Sequence, residues 1–343
     1  MKYPTCSKSF NNWLLSGKKY EKIYRKLGSP KLFDVSLRDG IQGLSKGQQS
    51  SFNLEKKTEI YKTIKNLYEP PHFEIGSFVS RKYFPIMNDV IPFFDNINNT
   101  SEETPKLYLL IPAFDKLVEL YKNYNITFDE CNNFSLITSC SFGFQVKNTN
   151  KTLIETKIDL KQINNFLIKY KKNNDYNVKL YISCIDECPI TGKIDKDFIV
   201  SEIMFYYMNY KFNNICLSDT LGTLSLENLK YILENCIFSG LNIEFISLHL
   251  HFKENDKEDE ERIKNLLFYA FEKNIKLYDV SYIKHGGCTM TVEDKKLRSN
   301  LTYELFYRTL VDHIINVSNN ECLYCNGIGS DCSCLYDCNT YLK

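Results

Sequence analysis

The order of apolar segments along the chain is the feature that most limits its fold. Eight short apolar segments alternate with helical segments at intervals of roughly thirty residues, the pattern of a parallel sheet. The predicted strands are Lys31–Leu37, His72–Ser77, Lys106–Ile111, Asn133–Ser139, Val178–Cys184, Asn214–Leu217, Ile243–His249 and Leu277–Ile283. The sequence therefore predicts an α/β fold, a (β/α)8 TIM barrel, with a doubly wound open sheet as the alternative.

The segments between the strands carry apolar residues at helical spacing. The predicted helices are Asn53–Tyr68, Phe114–Tyr124, Leu153–Lys171, Asp195–Tyr210, Leu226–Phe238, Glu258–Lys273 and Leu301–Val317. A chain of 343 residues suits one barrel with short appendages. We therefore divide it into an N-terminal helical extension over residues 1–30, a barrel over 31–317 and a Cys-containing tail over 318–343.

Charge and composition exclude several classes of partner. The chain has 43 basic and 42 acidic residues, so it lacks the excess of positive charge that a nucleic-acid-binding surface needs. No apolar run in the sequence is long enough to cross a bilayer. The 13 cysteines occur without a secretory signal, which favours reduced thiols inside the cell. We expect a cytoplasmic protein without nucleic-acid or membrane partners. Mitochondrial import is the alternative, and a homodimer is left open.

The first predicted strand ends in a polar cluster. Arg38, Asp39 and Gln42 follow it within a turn bracketed by glycines. A carboxylate there can hold a divalent metal, and a guanidinium can neutralise an oxygen that gains charge during a reaction. The alternative is an ordinary Arg–Asp pair that stabilises the turn.

Polar residues also lie at the ends of other predicted strands or just after them. They are Glu74, Asp219, His249, His251, Cys288 and Asn300. The active sites of such barrels lie at the carboxyl ends of the strands, so these side chains are the candidate site.

His249 and His251 form the sharpest local pattern. Residues two apart on a strand point to the same face, so both imidazoles can reach one ion. With Asp39 and a carbonyl oxygen of Asn300 they would form a mixed nitrogen and oxygen set, which suits Mg²⁺ or Mn²⁺ better than a structural zinc. The alternative is a pair of packed or surface histidines.

The cysteines allow two interpretations each. Cys288 follows two glycines, so it is either a reactive thiol over the barrel mouth or a small apolar loop residue. The tail carries Cys322, Cys325, Cys332, Cys334 and Cys338. These could bind zinc, but their spacing matches no known module, and we expect unpaired thiols.

Several motifs carry a likeness to a known family. They are Arg38-Asp39-Gly40-Ile41-Gln42, Phe73-Glu74-Ile75-Gly76-Ser77-Phe78-Val79-Ser80, Ser183-Cys184 through Cys188-Pro189, Ser218-Asp219-Thr220-Leu221-Gly222, His249-Leu250-His251 and Gly286-Gly287-Cys288. In this order they resemble 3-hydroxy-3-methylglutaryl-CoA (HMG-CoA) lyase over residues 31 to 312. That lyase is grouped with isopropylmalate and homocitrate synthases, ketovalerate aldolases and pyruvate carboxyltransferases, all metal-dependent barrels.

The resemblance implies a function and a set of roles. It implies cleavage of an acyl-CoA, HMG-CoA, into acetyl-CoA and acetoacetate, as in leucine catabolism and ketone-body formation. It implies that Asp39, His249, His251 and Asn300 bind the metal. It implies that the reacting centre is lined by Arg38, Glu74, Asp219 and Cys288, with His251 or Cys288 moving protons and Gln42 beside the cofactor.

Three segments depart from the family pattern. The stretch 289–299 is charged and longer than usual, Lys284-His285 replaces small or apolar residues, and Phe252-Lys253-Glu254 follows His251. The departures leave two alternatives open. One is an aldolase or Claisen-type condensing enzyme of the same group, and the other is an inactive barrel with a binding or scaffold role.

Overall fold

Eight parallel strands close into a barrel, and helices cover its outer face. The computed structural model describes residues 3–49, 51–79, 84–98, 105–124, 126–170, 176–286 and 298–320. The predicted (β/α)8 barrel is confirmed. None of the helices in these ranges combines the length and the apolarity that crossing a membrane requires.

Twelve strands are present in the described residues. In chain order they are β1 (Lys31–Asp34), β2 (His72–Ser77), β3 (Lys106–Leu110), β4 (Asn133–Ser139), β5 (Asn177–Ser183), β6 (Glu187–Cys188), β7 (Gly192–Lys193), β8 (Asn214–Ser218), β9 (Ile246–His249), β10 (His251–Phe252), β11 (Leu277–Val280) and β12 (Ser299–Asn300). The barrel order is β1-β11-β9-β8-β5-β4-β3-β2, while β6 pairs with β7 and β10 with β12.

The α-helices of the described residues follow the strands. They are α1 (Ser7–Ser16), α2 (Tyr20–Lys26), α3 (Lys46–Gln49), α4 (Leu54–Tyr68), α5 (Val90–Asn98), α6 (Phe114–Asn123), α7 (Phe142–Thr149), α8 (Leu153–Tyr170), α9 (Lys196–Asn209), α10 (Leu226–Phe238), α11 (Lys257–Glu272) and α12 (Tyr303–Asn320). The segment predicted as a helical extension, residues 1–30, contains helices α1 and α2. Helices α5 and α7 were not delimited from the sequence.

The first strand is shorter than predicted. It ends at Asp34, and a π-helical turn, Ser36–Gly40, occupies the end of the segment predicted as strand. The Asp34 carboxylate accepts hydrogen bonds from the backbone N–H of Ser36, at 2.9 Å, and from its hydroxyl, at 2.8 Å. Such local side-chain bonds compete with strand pairing, and here they turn the chain so that it presents the next residues at the barrel mouth.

The last two barrel strands are also shorter than predicted. A 3-10 turn over Ile243–Phe245 precedes β9, and the Asn242 side chain accepts a hydrogen bond from the Glu244 N–H at its start. Strand β11 ends at Val280.

The barrel interior is partly polar. Phe33, Tyr108 and Tyr181 are buried aromatic residues of its lining, and the Lys179 ammonium lies 3.5 Å from the centroid of the Phe33 ring. Lys179 forms a buried ion pair with Asp279 of β11. Because the apolar packing lies mainly between barrel and helices, charged groups can reach the centre of the barrel below its mouth.

Candidate metal centre

Three predicted metal ligands meet at the carboxyl ends of the strands. The ligand atoms of Asp39, His249 and His251 all lie within 4.8 Å of one another, and all three residues are buried. Asp39 Oδ2 is 3.4 Å from His251 Nε2 and 3.8 Å from His249 Nε2. The π-helical turn after β1 supplies the carboxylate, and β9 and β10 supply the imidazoles, so segments remote in the sequence converge on one point.

Both imidazoles are oriented by a second hydrogen bond. His249 Nδ1 lies 3.1 Å from Asp279 Oδ2, and His251 Nδ1 donates to the backbone carbonyl of Asp219 at 2.9 Å. A carbonyl can only accept, so His251 carries a proton on Nδ1, and Nε2 is the nitrogen that faces Asp39 and can bind a ligand once it is deprotonated. Metal-binding histidines are held in this way.

Asn300 lies opposite His251. It pairs with His251 in the antiparallel β10–β12 ladder, and its Nδ2 donates to the carbonyl of His285 at 2.9 Å. Its Oδ1 is buried without a hydrogen-bond partner among the residues that the structure describes. An unpaired buried carbonyl oxygen is costly unless it has a ligand, so the amide fits a cation site. Two nitrogens and two oxygens suit Mg²⁺ or Mn²⁺.

Arg38 is fixed next to the candidate metal centre. Its Nε donates to Glu74 at 2.5 Å and its Nη1 to Asp39 at 2.6 Å, while the guanidinium lies 4.8 Å from the centroid of the Tyr181 ring. The Tyr181 hydroxyl donates to the same Glu74 oxygen at 3.2 Å. These contacts hold a permanent positive charge next to Asp39.

The ion pairs also set the protonation of the site. Burial opposes ionisation of Asp39, but Arg38 and the two imidazoles outweigh it and hold the pKa of Asp39 well below its usual value. Burial lowers the pKa of His249, and the nearby carboxylates only partly offset this. For His251 the carboxylate of Asp39 outweighs burial, and its pKa is raised. Asp39 is thus a permanent anion, as a metal ligand must be.

Asp219 lies behind His251. Its carboxylate accepts hydrogen bonds from the backbone N–H of Thr223 and Leu224 and from Arg262 Nη1. Burial raises the pKa of Asp219, against the opposing effect of Arg262. Its neighbours Ser218 and Thr220 line the cavity, but Asp219 does not.

A cavity of about 610 Å³ opens onto these groups. Arg38, Asp39 and both histidines line its floor, and Gln42 lies on its wall. The other walls combine apolar side chains with a basic rim, and they include Leu110, Ile137, Phe84, Phe144, Lys116, Lys147 and Lys151. Ser77 and Ser218 also line the cavity, and their buried hydroxyls have no partner among the described residues. This volume accommodates a small organic ligand.

Sequence reasoning missed four residues that support the site. They are Lys179, Tyr181, Arg262 and Asp279. Lys179 and Asp279 lie within predicted apolar strands, where a charged residue is a signal that could have been used. Arg262 lies on a charged helix and gives no such signal. Cys288 and the tail cysteines lie outside the described residues.

No protein-family model matches the sequence, and no curated protein matches it. Solved structures do match. HMG-CoA lyase from Brucella melitensis aligns with a TM-score of 0.62 and 18% identity, over 84% of this chain and 91% of that one. An HMG-CoA lyase from Acinetobacter baumannii, in complex with coenzyme A and 3-methylmalate, gives 0.64 and 19%, over 84% of each chain.

A third match lies outside the lyases. The N-terminal domain of a putative aldolase from Bacteroides vulgatus aligns with a TM-score of 0.50 and 13% identity, over 84% of this chain and 86% of that one. At these identities the likeness concerns the fold. The chain therefore has the barrel fold of the HMG-CoA lyases and related aldolase domains, as the sequence motifs predicted.

Proposed function

We propose that this chain is a divalent-metal-dependent carbon–carbon lyase that cleaves HMG-CoA into acetyl-CoA and acetoacetate. The observation that carries the proposal is the buried Asp39–His249–His251 group next to Arg38, on the floor of a cavity. The complex of the A. baumannii lyase with coenzyme A supports an acyl-CoA as ligand, since that lyase has the same fold. A cytoplasmic location and a homodimer remain predictions from the sequence.

Asp39, His249, His251 and the Asn300 carbonyl oxygen would hold the Mg²⁺ or Mn²⁺. A bound divalent ion polarises substrate oxygens and lowers the pKa of a coordinated hydroxyl. The chain's contribution is orientation, because Asp279 and the Asp219 carbonyl hold the two imidazoles in position. Holding reacting groups in a fixed geometry can lower the activation free energy substantially.

Arg38 would stabilise the charge that develops as the bond breaks. Cleavage between C2 and C3 leaves the electron pair on the acetyl thioester, whose oxygen becomes an enolate oxygen, while C3 becomes the ketone of acetoacetate. A guanidinium held by Glu74 and Asp39 is organised before reaction, so no reorganisation is needed when the charge appears.

Two protons must move in this reaction. The C3 hydroxyl loses one, and C2 of the departing acetyl group gains one. His251 and Cys288 are the two carriers that the resemblance offers. Both ring nitrogens of His251 are assigned, Nδ1–H to the Asp219 carbonyl and Nε2 to the metal, so we propose Cys288 as the carrier, and Glu74 and Asp219 would orient the groups that act. His251 lines the cavity as a candidate metal ligand.

An aldolase or condensing enzyme of the same group is the second candidate. The aldolase domain from B. vulgatus has the same fold, and the segments after His251 and before Asn300 differ from the lyase pattern. An inactive barrel that only binds ligand is the third candidate.

The test uses metal-free protein reloaded with Mn²⁺ and incubated with HMG-CoA, with acetoacetate as the readout. Arg38→Met should lower turnover at least 10²-fold while Mn²⁺ binding is retained. Arg25→Met is the matched control, because Arg25 lies on α2 and pairs only with the exposed Glu21 in the described contacts. It should leave turnover unchanged.

Absence of acetoacetate from the loaded wild-type chain would refute HMG-CoA cleavage. Pyruvate release from 4-hydroxy-2-oxo acids would then favour the aldolase. Equal turnover by the wild type and Arg38→Met would remove Arg38 from the mechanism.

A further inference from the structure

Arg262 of α11 donates hydrogen bonds to two segments around the candidate metal centre, the strand of His251 and the turn over residues 219–224. Its Nη2 donates to the carbonyl of His251 at 2.8 Å. Its Nη1 donates to the carbonyl of Leu224 at 3.0 Å and to Asp219 Oδ2 at 3.1 Å. Its Nε donates to Asp259 at 2.6 Å, which anchors the guanidinium to its own helix.

The segment 219–224 forms a tight turn against the histidine strands. The Asp219 N–H donates to the His249 carbonyl at 2.9 Å, and the Asp219 carbonyl accepts from His251 Nδ1. Gly222 has a φ of +66°, and a Cβ at this position would lie 2.7 Å from the His251 carbonyl oxygen. The turn and the strand are therefore in direct contact, and a shift of the turn moves the acceptor that orients His251.

The Asp219 carboxylate needs a positive partner to keep this turn in place. It is only 1% exposed, and its other hydrogen bonds in the described residues come from two backbone N–H groups of the same turn. Arg262 supplies this positive charge and also donates to the backbone carbonyls of Leu224 and His251. A lysine could not reproduce this, because an ammonium lacks the planar set of donors of a guanidinium.

From these contacts we infer that Arg262 is a positioning residue, which holds the 219–224 turn and through it directs His251 Nε2 toward the metal. Asp219 is then the anchor of Arg262, which fits its place behind His251. The inference rests on the metal centre of the proposed function and does not depend on the substrate.

The test measures Mn²⁺ binding to the metal-free full-length chain by titration calorimetry. Arg262→Met should raise the Kd for Mn²⁺ about 10- to 100-fold, the usual cost of losing an outer hydrogen-bond partner of a metal ligand. Arg262→Lys should fall between Arg262→Met and the wild type. Arg308→Met is the matched control, since Arg308 pairs with Glu260 of the same helix α11 at 2.7 Å, and it should keep the wild-type Kd.

A second readout follows the imidazole itself. At a pH above the pKa of His251, ¹H–¹⁵N spectra of the histidine rings in metal-free wild type should show His251 as the Nδ1–H tautomer, and Arg262→Met should lose this single tautomer. A merely structural role for Arg262 would leave the tautomer unchanged. If circular dichroism shows that Arg262→Met does not fold, Arg262→Lys decides, with a Kd for Mn²⁺ raised at least three-fold as the expected result.

A Kd within two-fold of wild type, with an unchanged His251 signal, would overturn the inference. A wild-type chain that binds no Mn²⁺ would overturn both this inference and the proposed function. Wild type that binds Mn²⁺ but releases no acetoacetate would refute the lyase proposal alone.

Discussion

Replacing Lys179 by methionine should cost the chain several kcal/mol of folding free energy. The Lys179 and Asp279 side chains are 1% and 0% exposed, and they form an ion pair inside the barrel. Removal of the ammonium leaves the Asp279 carboxylate buried without its main positive partner. Breaking a buried pair from one side typically costs about 3–5 kcal/mol. That is a large fraction of the roughly 5–15 kcal/mol that stabilises a folded protein.

The pH dependence of this loss has a definite sign. Lys179 and His249 overcome the effect of burial and hold the pKa of Asp279 below its usual value. An acid with a lowered pKa contributes stability above its unfolded-state pKa, and the contribution is lost as the pH falls through the folded-state value. The cost of Lys179→Met should therefore be full at neutral pH and should decrease in acid.

The assay is equilibrium urea unfolding of metal-free protein at pH 8. The double variant Lys179→Met with Asp279→Asn should regain at least half of the lost free energy, because no buried carboxylate remains. Lys276→Met is the control. Its pair with Glu244 is exposed, so it should cost less than about 1 kcal/mol. A loss below 1 kcal/mol for Lys179→Met, or a double variant no more stable than the single one, would refute the reasoning.

Two further predictions concern the metal. Asn300→Ala should raise the Kd for Mn²⁺ about tenfold, because it removes an oxygen that has no other partner in the described residues. An unchanged Kd in calorimetry would count against Asn300 as a ligand. The pKa of His251 is raised, so protons compete with the metal ion for its imidazole. The affinity for Mn²⁺ should therefore fall as the pH drops through that pKa. The fall should be about tenfold per pH unit when one proton is displaced. Titrations at pH 6 and pH 8 with equal Kd would contradict this.

The periodicity of apolar residues predicted the barrel. It also indicated that the candidate site lies at the carboxyl ends of the strands. Alternating strands and helices specify a parallel sheet, eight such units favour a closed barrel over an open sheet, and parallel strands bring their carboxyl ends together. Asp39, His249 and His251 lie at the carboxyl ends of strands that the sequence delimits or just after them, so their convergence could be predicted without coordinates.

The supporting residues could not be predicted in the same way. The π-helical turn over Ser36–Gly40 depends on hydrogen bonds to Asp34, which apolar periodicity does not reveal. The pair of Lys179 and Asp279 depends on which strands lie opposite each other inside the barrel. Arg262 reaches the site from a helix face, and nothing in the local sequence distinguishes it from a solvated charge.

The stoichiometry of Mn²⁺ binding to the metal-free chain tests the central claim most directly. We expect one ion per chain for the wild type and loss of that site in Asp39→Asn and His249→Ala, because these residues form the buried three-ligand group. Asp115→Asn, at an aspartate that also lines the cavity, should bind one ion with the wild-type Kd. A wild-type chain that binds no Mn²⁺, or equal binding by Asp39→Asn and wild type, would contradict the account.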